Sequence, residues 1–600
     1  MGRQLVDNVI DIDAVSHVAA AQCSDAVLAL FDFANAFPSV AWAYLFLMLA
    51  YSGMPQHMAR MIKKLYSNPQ HYLRFMGLTT YAFTPAAGTK QGCPLSGSLF
   101  VMVLDPMISL LLSCLGPRDV VRGFADDLAA VIRNAWSTLP RVAKAFELIG
   151  KVSNLQLKVS KTVIVPLWRA NHDEVSRSIV QLIPCWKGIL VSGCGRYLGF
   201  YLGPDASSKS WDVPSKKWIE RVHTIKGFGA GMLNSVLQYN SVAISCLGFV
   251  CQLEVIPHEI LKKENQLLQC IVGGPYQAIS HAALVNLCSF GLPVSFRSLA
   301  ALGAAARYRT AICTAGHWRD AHKLYVDMVQ SEDVTFPVAM GLSLGIFNKE
   351  PIVCTLARSC SLAHFPMTVK TEVETVVDDW RRHKEQPPSR LQKLVYDVLV
   401  GHIVCFDLTS YFKRRLQRWA TTWDYFPDST VLASRATTLL RSTFRRNPPC
   451  VISAVIKTLL NGWSTQRRFQ CDERRFCKFG CDMADDSIEH YAVCEHVRNA
   501  WSIFSGLPSP NGPLGFFALG DEHKVLLQLR MAFLYCIYCI VMQLQATDES
   551  CNFSKLLARL RERKRFVMGC SAEIRRALRD AVLKRHEICS FSWPYWVDSC

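Results

Sequence analysis

Six hundred residues exceed what one hydrophobic core comfortably serves, so several domains are expected. Half of the residues are hydrophobic and 19% are charged, which excludes a disordered chain. The formal charge of +18 attracts polyanions and repels polycations, favouring nucleic acid or an acidic membrane surface as partner.

Ala26 to Phe31 is an unbroken apolar run, the pattern of a strand buried on both faces, and it ends in Asp32. Ser39 to Tyr51 predicts a helix closed at Gly53, so the first two hundred residues read as α+β. Asp119–Phe124 and Leu128–Ile132 are two further strand-like runs, and Ala125-Asp126-Asp127 between them suits a tight hairpin turn. Taken alone, Asp32 fits a salt-bridged residue before the next helix, and the paired acids fit an exposed turn as well as a cation site. If the strand and the hairpin lie side by side, the three carboxylates meet at one edge of a sheet. That edge would suit two Mg²⁺ ions, which prefer oxygen ligands and can activate a 3′-hydroxyl while stabilising a pyrophosphate leaving group.

Farther along, turn-rich or proline-rich breaks at 203–210, 387–389, 447–449 and 506–515 mark candidate boundaries. Trp218 to Val236 and Leu391 to Val400 predict amphipathic helices, and the chain beyond about residue 215 should be mainly helical. Met531 to Met542 is apolar but shorter than the roughly 20 residues that span a bilayer, so a buried helix and no membrane partner are expected. Basic clusters occur at Lys413-Arg414-Arg415 with Arg418, at Arg445-Arg446, Arg467-Arg468 and Arg474-Arg475, and from Arg559 to Arg565. Each alone is a solvated helix face, and together they suit phosphate contacts. Twenty-four cysteines lie scattered in apolar segments behind no secretory leader, so reduced thiols in the nucleus or cytoplasm are expected, not secretion. Cys477, Cys481, His490 and Cys494 have the spacing of a compact structural Zn²⁺ site, with Cys471 and His496 as competing ligands.

Phe31-Asp32-Phe33-Ala34-Asn35-Ala36-Phe37, Gly88-Thr89-Lys90-Gln91-Gly92-Cys93-Pro94-Leu95-Ser96 and Phe124-Ala125-Asp126-Asp127 resemble, in order and spacing, three successive motifs of reverse transcriptases from non-LTR retrotransposons. Asn154 to Thr162 resembles the following palm motif, Tyr197 to Gly203 the primer-grip region, and Tyr239 to Ala243 a thumb segment. The resemblance implies a right-hand polymerase palm of antiparallel sheet plus helices, a helical thumb, and a mainly helical C-terminal region holding a zinc module. In those terms, residues 1–205 are residual fingers and palm, 206–310 thumb, 311–460 a helical connector, 461–505 the zinc module and 506–600 a helical C-terminal region.

Carried over by residue, the resemblance implies that Asp32, Asp126 and Asp127 hold the metals, with the Phe33 carbonyl as an additional oxygen ligand. Phe37 would lie beneath the incoming sugar and exclude a 2′-hydroxyl, Gln91 and Gly92 would shape the pocket around the nascent base pair, and Lys161 would serve the departing pyrophosphate. The implied partners are template RNA, primer DNA and deoxynucleoside triphosphates. Gly2 to Ile10 resembles a segment well inside the fingers, so much of that subdomain, and any endonuclease domain, is expected to be missing. The same features also fit a catalytically silent remnant that only binds nucleic acid.

Overall fold

A computed structural model describes residues 4–275, 277–314, 317–330, 345–383, 387–423, 428–443, 447–469, 476–481, 484–509, 512–519 and 523–583. Arg445, Arg446, Cys471, Arg474 and Arg475 lie outside the described residues, as does the side chain of Arg467. The chain forms two compact units. One comprises residues 1–213, 250–255 and 304–392, and the other 214–249, 256–303 and 393–600.

Among the described residues the first unit is built on nine strands: β1 (Val27–Phe31), β2 (His71–Phe75), β3 (Leu78–Phe83), β4 (Val120–Phe124), β5 (Asp127–Ile132), β6 (Val163–Pro166), β7 (Leu190–Val191), β8 (Gly195–Tyr197) and β9 (Phe200–Leu202). Five of them form one sheet in the order β4-β5-β1-β6-β7, while β2–β3 and β8–β9 are separate hairpins. Every residue of β1 is buried because it is the central strand, antiparallel to β5 on one side and β6 on the other. Val27, Ala29 and Phe31 pack into a core with Leu99, Phe100 and Val103 of the helix Ser96–Cys114 and with Leu139, Val142 and Phe146 of the helix Ala135–Ser153. Helix Leu5–Gln22 lies against β4 and β5. Burial on both faces explains why β1 reads as a continuous apolar run instead of an alternating one.

The α+β architecture is as expected, with one difference within the sheet. It is mixed, not antiparallel, because the helix His172–Leu182 carries the chain over and returns β7 parallel to β6. In the second unit, which is helical, the segment Trp218 to Val236 is two helices, Asp212–Gly227 and Gly231–Gln238. The glycine-rich Gly227-Phe228-Gly229-Ala230-Gly231 breaks them, with Gly229 and Gly231 both at positive φ. The apolar helix expected over Met531 to Met542 runs from Lys524 to Thr547, which is long and apolar enough to cross a membrane by length and composition. Most of it is buried within the unit, among the helices Pro449–Leu459, Phe553–Cys570 and Ala572–Leu583.

Two buried titratable side chains join the helix Leu5–Gln22 to residues 345–361. Asp13 accepts the Ile352 N–H at 2.7 Å and so caps the helix Ile352–Ser361, whose N-cap residue Pro351 supplies no side-chain acceptor. His17 stacks on Phe347 with ring centroids 3.8 Å apart. Burial pushes Asp13 up to about 6, partly offset by Lys349, whereas burial and then Lys349 push His17 down to about 3. Unfolded His17 takes a proton near pH 6.5 and the folded ring does not, so its share of stability falls as the pH drops through 6.5. Asp13 acts in the opposite sense: its contribution is fully present below pH 3.8 and is lost as the pH rises through about 6. His17→Phe keeps the ring contact and removes the proton, and should spare on the order of 3 kcal/mol of acid destabilisation between pH 6.5 and 4. Urea unfolding followed across that range tests this, and an unchanged pH slope in the variant would refute it.

Candidate active site and metal centre

Asp32 follows β1 directly and is half-buried. The β1–β5 register pairs Phe31 with Leu128, so one step farther along the strands Asp32 comes opposite Asp127. The β4–β5 hairpin turns through Ala125 and Asp126 only, with Phe124 paired to Asp127. Ala125 adopts a left-handed φ of 52°, which a two-residue hairpin turn requires and a small side chain tolerates. The three carboxylates therefore share one end of the sheet. Asp127 registers this: burial first, then the charges of Asp126 and Asp32, push its carboxyl above the ordinary range, and Arg196 opposes the rise.

Beyond Asp32 the strand continues as an irregular pairing with residues 156–158. Lys158 N–H donates to the Asp32 carbonyl at 2.7 Å and Ala34 N–H to the Gln156 carbonyl at 2.8 Å, flanking a bridge between Phe33 and Leu157. In an antiparallel pair of this kind the bridged residues do not use their own backbone groups. The Phe33 carbonyl thus points away from Leu157, toward the side on which the hairpin lies. Lys161 is exposed on the turn Val159–Lys161, just beyond this pairing.

The Gln91-Gly92 loop is tied to the turn that carries Phe37. Gly88 N–H donates to the Val40 carbonyl and Thr89 N–H to the Phe37 carbonyl, both at 2.8 Å, and Trp42 Nε1 donates to the Gly88 carbonyl at 2.8 Å. Gly88 is at φ 90°, and a Cβ there would lie 2.4 Å from the Pro38 carbonyl oxygen, so no side chain fits. The loop then closes through the Ser96 hydroxyl on the Lys90 carbonyl at 2.5 Å, leaving Gln91 and Gly92 exposed. Phe37 is half-buried, its ring stacked on Phe100 at 4.2 Å and 19°. A helix of the core thereby fixes the half-buried ring.

The β8–β9 hairpin lies across β1 and β6. Gly195 permits this: a Cβ there would come within 2.3 Å of Leu30 Cδ1. Tyr197 is buried and its hydroxyl donates to the Arg122 carbonyl at 3.1 Å, anchoring the hairpin to β4. Between these two inward residues Arg196 is exposed, within electrostatic reach of Asp127. Arg196 is not singled out by the sequence, where Gly88 figures only as the first residue of the Gly88–Ser96 motif. The alternation of inward Gly195 and Tyr197 was the available signal for Arg196, but it has meaning only once the hairpin is seated on the sheet.

In the second unit Cys477, Cys481, His490 and Cys494 converge, their ligand atoms all within 4.8 Å of one another. Cys477-Lys478-Phe479-Gly480-Cys481 is a tight knuckle in which Phe479 N–H donates to Cys477 Sγ at 3.4 Å and Gly480 N–H to the Cys477 carbonyl at 3.1 Å. The helix Ile488–Val493, capped by the Ser487 hydroxyl, presents His490, and Cys494 opens the helix Glu495–Ser505. Cys481 and Cys494 sulfurs are 3.5 Å apart, near the roughly 3.8 Å expected for two thiolates on one tetrahedral Zn²⁺. Hydrogen bonding from Cys494 holds Cys477 down at about 4 against the cost of burial, and the same contact drives Cys494 far up. His490 Nε2 is buried without a hydrogen-bond partner, as a metal ligand would be. The cluster is compatible with zinc. His496 instead packs against Phe553, with ring centroids at 5.7 Å.

Residues 1–202 match the family described as reverse transcriptase (RNA-dependent DNA polymerase). A transposon TX1 protein of 149 kDa from Xenopus laevis is 28% identical over 214 residues, which is 34% of this chain and 16% of that protein. The Pol polyprotein of the type-2 retrotransposable element R2DM from Drosophila melanogaster is 30% identical over 164 residues, 26% of this chain and 15% of that protein. The matched stretch thus spans about a sixth of each of these relatives. A solved telomerase from Candida albicans shares 10% identity at a TM-score of 0.26, over 57% of this chain and 53% of that one.

Proposed function

Since residues 1–202 are a reverse transcriptase domain whose homologues are non-LTR retrotransposon proteins, we propose that this chain is an RNA-directed DNA polymerase, extending a primer DNA 3′-end with deoxynucleotides on template RNA. The observation that carries this reading is the meeting of Asp32, Asp126 and Asp127 at one sheet end, with Asp127 raised by burial and then by its two neighbours. Repelling carboxylates at a half-exposed edge fit hard cations. Asp32, Asp126, Asp127 and the Phe33 carbonyl would hold two Mg²⁺ ions, which when bound supply an activated 3′-hydroxyl and charge neutralisation at the departing pyrophosphate.

The chain's own groups do the rest. The Gln91-Gly92 loop, held by Gly88 against Pro38, borders the nascent pair. Lys161 lies on the turn that follows the segment paired to Asp32 and serves as proton donor or counter-charge for pyrophosphate. Phe37, held by Phe100, blocks the space of a 2′-hydroxyl. Cys477, Cys481, His490 and Cys494 hold a structural zinc ion beside a basic region that assists RNA binding. Free thiols throughout the described residues support an intracellular setting, nucleus or cytoplasm.

Primer extension on poly(rA)/oligo(dT) with Mg²⁺ tests the reading, and incorporation of dTTP is expected. Folded protein that binds RNA in a salt-sensitive way but incorporates nothing would replace it with a silent nucleic-acid binder. A finer test concerns the sugar. Phe37→Val should lower discrimination against ribonucleotides by roughly tenfold or more, measured as the ratio of kcat/KM for dTTP and UTP. An unchanged ratio in an active variant would remove Phe37 from the sugar site.

A further inference from the structure

The β2–β3 hairpin is exposed along both strands, Ala82 alone being partly covered. A two-stranded hairpin without a packed face is marginal in water and gains from a partner. The surrounding sequence indicates which kind. From Phe33 to Leu104 there is no Asp or Glu, in a chain with 48 acids in 600 residues, while Arg60, Lys63, Lys64, Arg74 and Lys90 all fall in that stretch. Arg60, Lys63 and Lys64 are exposed on the helix Gln56–Leu65, which leads into β2. Lys90 follows β3, its ammonium 5.6 Å from the centre of the Tyr66 ring. Such a surface complements a polyanion and repels a second copy of a chain of charge +18.

The two faces of the hairpin differ. The register pairs Tyr72 with Tyr81 and Arg74 with Thr79, placing two phenol rings and a guanidinium on one face, and Leu73, Phe75 and Leu78 on the other. The Tyr72 and Tyr81 rings meet edge to face at 5.9 Å and are 55% and 52% exposed. Duplex bases are already stacked on one another and offer no free π-face, whereas unpaired bases stack on exposed aromatic rings. The short connection 84–87 leads from β3 directly to Gly88 and the Gln91-Gly92 loop. A strand lying on the hairpin is therefore close in the chain to the candidate polymerase site.

We propose that the Tyr72–Arg74–Tyr81 face binds the unpaired strand of the template RNA, bases stacking on the two tyrosines and Arg74 contacting phosphate. This rests on the polymerase reading above. The test is fluorescence anisotropy of the full chain with a labelled RNA–DNA duplex, either blunt or carrying a 5′ single-stranded RNA overhang. Tyr72→Ala/Tyr81→Ala should weaken overhang binding about tenfold or more and affect the blunt duplex far less. Arg74→Ala should reduce the salt dependence by about one counterion. Leu73→Ser/Phe75→Ser, on the opposite face, should change neither. Since all of these side chains are solvent-exposed, the variants remain folded by circular dichroism.

Parental affinity of the tyrosine variant for the overhang overturns the proposal, as does equal loss on the blunt duplex. Loss that follows the Leu73→Ser/Phe75→Ser variant together with a changed oligomeric state overturns it in favour of a protein partner. A larger effect on a DNA overhang than on RNA overturns the assignment to template RNA. Parental primer extension separates the two readings. An active parent with unaffected tyrosine variants defeats the hairpin proposal alone, and an inactive parent whose variants lose overhang binding defeats the polymerase reading alone.

Discussion

Asp127→Asn is expected to lower nucleotide incorporation roughly a thousandfold or more while raising the thermal midpoint of the first unit. Both expectations come from one feature. Asp127 faces Asp32 across the β1–β5 register and adjoins Asp126 at the hairpin turn, and burial and these two charges push its carboxyl up. A carboxyl raised in the folded state contributes stability only below its unfolded range, and that contribution is lost as the pH rises. At pH 7 the ionised form is therefore a cost to the fold, and the amide removes the charge while keeping the shape. The same substitution would remove a fully charged oxygen ligand from the proposed cation site. Differential scanning fluorimetry provides a readout independent of turnover: Mg²⁺ should raise the midpoint of the parent and have a much smaller effect on the variant. A variant that incorporates nucleotide at the parental rate, or whose midpoint falls sharply, would show Asp127 to be a structural turn residue.

What the sequence revealed follows the range of the interactions involved. The run Ala26–Phe31 announced a doubly buried strand because burial on both faces demands apolar residues at every position, and Val27–Phe31 is that strand. The hairpin was legible from its short turn. Its alignment with Asp32 was inferred by assuming that two strands lie side by side, and the register of β1 with β5 supplies that adjacency. Other features depended on packing between distant segments. Arg196 bears on Asp127 only because β8–β9 folds across β1 and β6, and Gly88 is constrained only because Pro38 presses on it. The compact units could not be read from local breaks, since residues 250–255 and 304–392 return to the first unit through contacts such as Lys349 Nζ with the Tyr201 carbonyl at 3.2 Å and with Glu254 Oε1 at 2.7 Å. The length of Lys524–Thr547 was hidden by Arg530, which ends the apolar run in the sequence. In the structure its guanidinium is buried, 6.0 Å from the centre of the Trp501 ring, and the helix continues through it.

Cys477→Ser should release the metal and unfold the segment around it, because in a compact site of this kind the ligand bonds take the place of a core. Structural Zn²⁺ contributes on the order of 10 kcal/mol or more to small modules at neutral pH, more than a single packing contact supplies. A hydrogen-bond network around the cluster would depend on it. Lys478 N–H donates to the Tyr491 hydroxyl, which in turn donates to buried Asp486 at 2.7 Å, and Asp486 also accepts from Gln545 of the helix Lys524–Thr547. The Cys551 N–H donates to the Lys478 carbonyl at 2.8 Å, so the knuckle is also joined to the chain beyond that helix. Loss of the ion would leave the four side chains without their common partner, and this network would lose its anchor. The expected results are one zinc per chain by elemental analysis of the parent, a lower thermal midpoint after chelation, and recovery on adding Zn²⁺. Cys477→Ser should lack the ion and show the low midpoint without chelator. His496→Ala should keep the ion, because that ring packs on Phe553 outside the cluster. If the desalted parent holds no zinc, or chelation leaves its midpoint unchanged, the four residues are a thiol cluster of the core and the segment around them is ordered by packing alone.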